Sequence, residues 1–471
     1  MSPVSTAKSL AYCVDFGSTF TKAALVDVET GDLLGTASHR TTIDTDVLDG
    51  WDHIRARLGR LAGAADVPVY ACSSAGGGLR IAVVGNEELV TSEAGRRVAL
   101  SSGGRVVHVS SGDVDLERLG RADPDVVLLV GGTDGGNAEV LLANAATLGR
   151  AAWSTPVVVA GNRDATETIS DLLGGAGVPH VLAANVVPQI GVLEPSSARA
   201  AIREMFLTHV IGGKHLSSRA DFTAMVKGAT PDVVLSAVEL LASRASDASG
   251  ASGASERPVA RDVVVVDIGG ATTDVYSVLE LDPEEGSLAR EVVAATSVTR
   301  TVEGDLGMRW SAVSTVEAAV EAGLAEAQLM AAAQARRADP GLVATTEDEK
   351  EADLQIASAA VALAVRRHAG RQQVVWSADG RLLERSGKDL REVDLLVGSG
   401  GVLRHGSGVD AGRVLRAATG DQVRGGWLVP RRPRLVIDRD YVLAAAGLLA
   451  EEHPAAAVRM VARLDEAVAD Q

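Results

Sequence analysis

Cysteine is almost absent from this chain of 471 residues, which carries only Cys13 and Cys72. Two thiols exclude a disulfide framework and a four-thiolate metal site within one chain. Cys13 lies in an apolar strand-like run and reads as a small core residue. Positive charge is also scarce: the net charge of −17 argues against a nucleic-acid binder, whose phosphate contacts call for a basic surface. Lysine is rarer still, with six against 39 arginines, so a lysine at a marked position carries more information than usual. No run of about 18 uncharged apolar residues occurs. The amino terminus, with Lys8 as its basic residue, lacks the layout of a signal peptide, and a soluble, cytosolic protein is expected. Histidines are scattered without ligand spacing, and no Ser-His-Asp order stands out. Asp44, Asp46 and Asp49 suggest a calcium loop superficially, but the closing Glu is missing at its spacing, and a solvated loop is expected.

What the chain does have is one pattern written twice. Val14-Asp15-Phe16-Gly17-Ser18-Thr19-Phe20-Thr21-Lys22 runs into Ala23-Ala24-Leu25-Val26. About half a chain later, Val264-Val265-Val266-Asp267-Ile268-Gly269-Gly270-Ala271-Thr272-Thr273-Asp274-Val275 repeats the arrangement. Each is an apolar strand, an Asp, a cluster of glycine and hydroxyl residues, and a second apolar strand. At such a hairpin tip bare glycine lets backbone N–H groups approach an anion. Hydroxyls add donors, and the Asp offers oxygen to a hydrated Mg²⁺. Two such loops imply a nucleotide held between two similar domains, and the length suits two large lobes. Lys22 fits a compact point charge for phosphate, where arginine would bring a planar fork; an exposed strand lysine is the alternative.

A third cluster, Leu395-Leu396-Val397-Gly398-Ser399-Gly400-Gly401-Val402, reads as a strand entering a glycine turn and then a helix, which brings bare backbone against a ring or sugar. The first half otherwise alternates β-branched runs (106–109, 126–130, 157–160, 181–186) with Ala- and Leu-rich stretches, the order of an α/β protein. Residues 244–262, rich in Ser, Ala and Gly, are expected to form a mobile surface loop. Residues 314–337 are expected to form one long helix ending before Pro340, and 354–368 another.

On these motifs the chain resembles the actin, heat-shock chaperone and sugar kinase superfamily of ATPases. Asp15 to Lys22 matches the first phosphate motif, Asp267 to Asp274 the second and Gly398 to Gly401 the adenosine motif. Residues 441–448 look like the small-residue helix that crosses between the lobes. Further segments, Asn185-Val186-Val187-Pro188-Gln189-Ile190-Gly191-Val192-Leu193, Ile211-Gly212-Gly213-Lys214-His215-Leu216 and Glu303-Gly304-Asp305-Leu306-Gly307-Met308, resemble the MutL-type accessory proteins of glutamate (methylaspartate) mutase, over about residues 12 to 450.

The resemblance implies an actin-like α/β fold of two similar lobes, each a mixed sheet flanked by helices. Residues 1–212 would form the first lobe, 213–440 the second, and 441–471 helices packing back on the first. It implies ATP and Mg²⁺, with Asp15 and Asp267 holding the metal through water. Gly17, Ser18, Thr19 and Lys22 would face Gly269, Gly270 and Thr272 across the phosphates, and Gly398, Gly400 and Gly401 would meet the adenosine. Asp274 matches a position near the metal and the attacking water. The water-orienting side chain is open among Asp134, Gln189 and Glu194. Asp134 sits in Gly131-Gly132-Thr133-Asp134-Gly135-Gly136-Asn137, which reads either as a loop approaching phosphate or as a plain turn with helix caps.

The resemblance further implies an accessory, reactivating partner of an adenosylcobalamin-dependent mutase. A small-molecule kinase of the same fold is the alternative. An iron–sulfur electron donor of that fold is disfavoured by the lack of suitably placed thiols.

Overall fold

The computed structural model describes residues 9–63, 66–75, 78–248, 262–280, 297–377, 380–421 and 423–466. Within them the chain builds three five-stranded sheets and a two-stranded ribbon.

The first sheet begins with β1 (Leu10–Phe16), β2 (Phe20–Asp27) and β3 (Asp32–Arg40), an antiparallel meander. Helix α1 (Val47–Ala62) then returns the chain to β4 (Val69–Ser73), parallel to β1. Asp46 caps α1 by accepting from the Leu48 amide, so the apparent calcium loop is a helix entry.

After β4 the chain leaves to build a separate sheet. Its elements are β5 (Leu79–Gly85), α2 (Glu93–Ser101), β6 (Gly104–Ser111), α3 (Leu116–Arg121), β7 (Val126–Leu129), α4 (Glu139–Arg150), β8 (Val157–Val159), α5 (Thr166–Gly175) and β9 (His180–Leu182). The strand order is β6-β5-β7-β8-β9 and all pairs are parallel. Strands β7 and β8 are buried at every position, as expected of unbroken apolar runs covered by helices on both faces. The β-branched runs of the first half therefore form an inserted sheet of their own. Helices α6 (Ser196–Met205) and α7 (Ala220–Met225) lead back to β10 (Val226–Ala229), which completes the first sheet beside β4. Because β10 lies beyond residue 212, the first lobe extends past the boundary expected there.

Helix α8 (Thr230–Ala248) carries the chain to the third sheet, so the first residues of the expected 244–262 loop are helical; residues 249–261 lie outside the described residues. The third sheet starts with β11 (Val263–Ile268), β12 (Thr273–Val278) and β13 (Val298–Glu303). Helices α9 (Ala312–Glu321), α10 (Met330–Ala338) and α11 (Glu347–His368) follow. The single long helix expected over 314–337 is broken at Gly323, whose φ of 68° ends α9, a conformation glycine adopts without a Cβ penalty. A Thr346/Glu349 capping box starts α11. The ribbon β14 (Arg371–Ser377) and β15 (Gly380–Ser386) precedes β16 (Leu395–Ser399), α12 (Gly401–His405), α13 (Gly408–Arg416) and β17 (Arg434–Ile437). Helices α14 (Val442–Leu449) and α15 (Pro454–Glu466) complete the described chain.

The first and third sheets have the same plan. Their orders are β3-β2-β1-β4-β10 and β13-β12-β11-β16-β17, each an antiparallel meander followed by two parallel strands. This is the two-lobed α/β architecture of the actin, chaperone and sugar kinase fold. One core joins the lobes: Ala11, Cys13 and Ala24 from the first sheet and Val263, Val265 and Val397 from the third pack with α8, α14 and α15. The small residues of α14 permit its approach to α8, since a Cβ on Gly447 would come within 2.0 Å of the Val233 carbonyl oxygen. A second core fills the space between the first sheet and the inserted one, from Val14 and Phe16 to Ile81, Val83 and Leu128.

Candidate nucleotide site between the lobes

The shared strand plan places the two Asp-Gly-hydroxyl turns at equivalent sheet positions. In the first hairpin Asp15 is paired across the strands with Lys22, and in the second Asp267 with Asp274. The first turn is held by Thr41, whose Oγ1 donates to the Gly17 carbonyl at 2.7 Å and whose amide donates to the Thr19 carbonyl at 3.0 Å. The second is braced by the 303–308 segment: the Met308 and Arg309 amides donate to the Gly269 and Gly270 carbonyls at 3.0 and 2.7 Å. A Cβ on Gly307 would lie 2.7 Å from the Ala271 carbonyl carbon, so this segment backs the loop closely enough to require glycine. Arg309 is anchored in turn to Asp353, which also takes the buried Arg336 at 2.6 Å.

The loops meet. A Cβ on Gly270 would stand 2.9 Å from the Thr19 hydroxyl oxygen, and that oxygen is buried without a hydrogen-bond partner. A phosphate oxygen between the loops would satisfy it. Behind them, Asp15, Lys22, Thr230, Asp267, Ser399, Asp438 and Tyr441 line a crevice of about 10 Å³. That is room for a single water. A roomier cavity of about 350 Å³ against α1, lined by Tyr12, Asp52 and Arg55 among others, contains none of these groups.

The crevice is densely charged. Asp15 lies 3.6 Å from Lys22 and accepts from Thr230 at 2.6 Å. Burial and the neighbouring charges of Asp274 and Asp15 raise Asp267 above the usual carboxylate range, with Lys22 and Ser399 opposing. Burial depresses Lys22, but Tyr441, Asp15 and Asp267 outweigh it and hold the ammonium charged. Lys22 sits 4.4 Å from the Tyr441 ring centre and Arg404 4.0 Å from it, both within cation–π range. Among the described residues no group of three or more His, Cys, Asp or Glu could hold a metal. Two carboxylates near a phosphate position fit Mg²⁺, which keeps several waters and arrives with its nucleotide.

The third glycine cluster adjoins the second hairpin at the end of β16. Ser399 pairs with Asp267 across β16 and β11. Gly400 has φ 115°, and a Cβ there would meet the Ile268 carbonyl oxygen at 2.4 Å; only glycine can close this turn. Gly401 opens α12. Asp438 accepts from the Val442 and Leu443 amides at 2.8 and 3.2 Å, and burial pushes its pKa up to about 6. A raised carboxylate pKa stabilises the fold fully below about pH 4, and that contribution is lost as pH rises through about 6. Asp438→Asn, which keeps an acceptor for the helix, should therefore lose up to about 3 kcal/mol less stability than the parent over that range, as read by urea unfolding.

The structure thus gathers Asp15, Gly17, Ser18, Thr19 and Lys22 on one hairpin and Asp267, Gly269, Gly270, Thr272 and Asp274 on the other, with Gly398, Gly400 and Gly401 adjoining the second. Asp134 is elsewhere, beyond the end of β7 in the inserted sheet, where it accepts from Asn185 Nδ2 at 2.9 Å and from the Arg163 amide. It locks the glycine loop to residues 185–188, the plain-turn alternative. Gln189 and Glu194 lie in the segment that follows β9. Lys214 pairs with Asp125 at 3.0 Å, away from the crevice. Thr41, Thr230 and Arg300 contact Gly17, Asp15 and Asp274, and the motifs gave no sign of them. Arg300 left one signal, since it falls on the same strand face as Val298 and Val302.

The model of the protein family described as "MutL protein" matches residues 11–464. The chain belongs to the MutL protein family. Protein MutL from Clostridium tetanomorphum is 35% identical over 460 residues, covering 95% of this chain and 97% of the relative. Among solved structures, a nucleotide-free acetone carboxylase is 14% identical, covers 94% of this MutL-family chain and 70% of its own, and superposes with a TM-score of 0.40. A ROK family glucokinase from Streptomyces griseus, in complex with glucose and AMPPNP, is 12% identical over 93% and 97% of the two chains, with a TM-score of 0.31. Neither superposition is close enough to bear on activity. No helix among the described residues is long and apolar enough to cross a membrane.

Proposed function

We propose that this protein binds and slowly hydrolyses ATP with Mg²⁺, and that the nucleotide sets the angle between its lobes and so its hold on an adenosylcobalamin-dependent carbon-skeleton mutase, glutamate mutase or a relative, whose inactive cofactor it helps exchange. The observation that carries the nucleotide reading is the buried, unpartnered Thr19 hydroxyl facing Gly270 where two equivalent hairpins meet. The mutase reading rests on membership of the MutL family and on the family-like segments 185–193, 211–216 and 303–308.

In this reading Gly17 to Thr19 and Gly269 to Thr272 cradle phosphate oxygens with amides and hydroxyls. Lys22 exchanges its contact with Asp15 for phosphate. Asp15 and Asp267 hold waters of the metal, which neutralises phosphate charge when bound with ATP. Asp274 stands beside the second loop, where Thr272 Oγ1 donates to it at 3.3 Å, close to where an attacking water belongs. Asp274 is also bound to Arg300 at 2.6 Å; phosphate transfer to a small acid or sugar would instead favour a kinase of the same fold.

The test has two parts. Mg·ATP at about 100 times its dissociation constant should add roughly 2.7 kcal/mol to stability and raise the melting temperature. Mutase subunits should then bind with roughly 5- to 150-fold different affinity in the ATP and ADP states, the usual size of such coupling, and inactivated mutase should recover activity. Equal binding in both states without recovery would defeat the accessory role, and no stabilisation by any purine nucleotide would defeat the site.

A further inference from the structure

Arg300 is buried, 5% exposed, and its guanidinium is shared between two parts of the molecule. Nε and Nη2 donate to Asp274 Oδ1 at 3.1 and 2.6 Å. Nη1 donates to the Leu100 carbonyl at 3.0 Å and the Gly104 carbonyl at 3.3 Å. The first partner belongs to the second phosphate hairpin. The other two belong to the inserted sheet, where Leu100 lies in the last turn of α2 and Gly104 opens β6. The last carbonyls of a helix have no partner within it and carry the negative end of its dipole, so a cation there is well placed.

We propose that Arg300 is a strut that couples the second phosphate hairpin to the inserted sheet, making the position of α2 depend on the nucleotide held at Asp274. The proposal rests on the ATPase reading above and adds the route by which that site is regulated. The physical reason is conservation of hydrogen bonds in a buried place. Asp274 Oδ2 already takes Thr272 Oγ1 of the phosphate loop, while Oδ1 takes Arg300. If Asp274 turns toward a water beside the phosphate, the guanidinium either follows it, drawing on the Leu100 and Gly104 carbonyls, or stays and loses its counter-charge. Arg300, with its side chain 3% exposed, cannot reach solvent in compensation, and an unpaired buried charge is strongly disfavoured.

Helix α2 passes such a shift on without slack. A Cβ on Gly95 would stand 2.6 Å from Val83 of β5 and 3.1 Å from Val130, so the helix lies flush on the inserted sheet and next to the Gly131–Gly136 loop. Close-packed contacts of this kind have few intermediate positions. Arg300 touches no reacting atom; it is a positioning residue acting through Asp274.

The experiment is hydrogen–deuterium exchange of the full chain with saturating Mg·ATP or Mg·ADP, followed on peptides covering 93–104. In the parent protein, exchange there should differ roughly 5-fold or more between the two states, the lower end of typical coupling. Arg300→Lys keeps the charge but lacks the fork that reaches three acceptors. It should keep its melting shift with Mg·ATP, lose the difference at 93–104, and show a reduced kcat with little change in KM. A merely structural arginine would alter exchange equally in both states. Equal exchange in the two states of the parent, with both nucleotides bound, would overturn the strut without using any variant, as would persistence of the difference in Arg300→Lys. Absence of a melting shift in the parent would instead remove the ATPase reading and the strut with it.

Discussion

Asp267→Asn should leave the protein folded and lower ATP turnover by about 10²-fold or more, the scale on which losing one electrostatic element of a reaction site acts. Asp267 is the penultimate residue of β11, in register with Asp274 on one side and Ser399 on the other. Burial and the charges of Asp274 and Asp15 already work against its ionised form, and Lys22 offsets them only in part. An amide of the same shape relieves that repulsion, so stability should hold or rise. The glycine amides and hydroxyls of both loops remain, and Mg·ATP should still raise the melting temperature. What is lost is the second carboxylate for metal-bound water, and turnover falls while binding survives. Measuring kcat and the melting shift on the same preparation separates the two. Unchanged turnover would leave the metal to Asp15 alone.

The sequence made the hairpins legible because their information is local. An apolar strand, an Asp and a glycine-hydroxyl turn occupy about a dozen residues, and the turn chemistry alone dictates the fold-back. Gly400 and Gly447 were legible only as small residues within their motifs, because what requires glycine there is distant in sequence, the Ile268 carbonyl and the Val233 carbonyl of α8. The inserted sheet was not legible as a separate body. Its β-branched runs look like those of any parallel sheet, and nothing local says that β4 pairs with β10 across the whole insertion. The partners that tune the site were hidden for the same reason. Thr230 reaches Asp15 from the start of α8, and Arg300 reaches from β13 to carbonyls in α2 and β6. Such contacts depend on register and packing between distant segments, which periodicity does not encode. The helix over 314–337 failed differently. Alanine-rich composition favours a continuous helix there, but a glycine at positive φ, as at Gly323, is a helix stop in the fold.

Gly270→Val should abolish nucleotide binding while leaving the empty protein folded. Gly270 does not adopt a positive φ, so its backbone tolerates a side chain, and the effect is one of space. A Cβ at this position stands 2.9 Å from Thr19 Oγ1 and 3.6 Å from the Arg309 Cβ. The two branches of valine would add to that contact and fill the gap where phosphate oxygens belong. In the empty protein Thr19 can move with its exposed loop neighbour Ser18, at a cost of about 1 to 3 kcal/mol for overpacking. With ATP present there is no such escape, because the lobes must close around the phosphates. The roughly 2.7 kcal/mol of stabilisation expected from Mg·ATP near 100 times its dissociation constant should vanish. Gly270→Ala combined with Thr19→Ala removes the hydroxyl that the new methyl would strike, so it should regain part of the melting shift if crowding is the cause. Full ATP binding by Gly270→Val would mean that the loops do not meet over the phosphates, and the nucleotide would have to be sought away from this crevice.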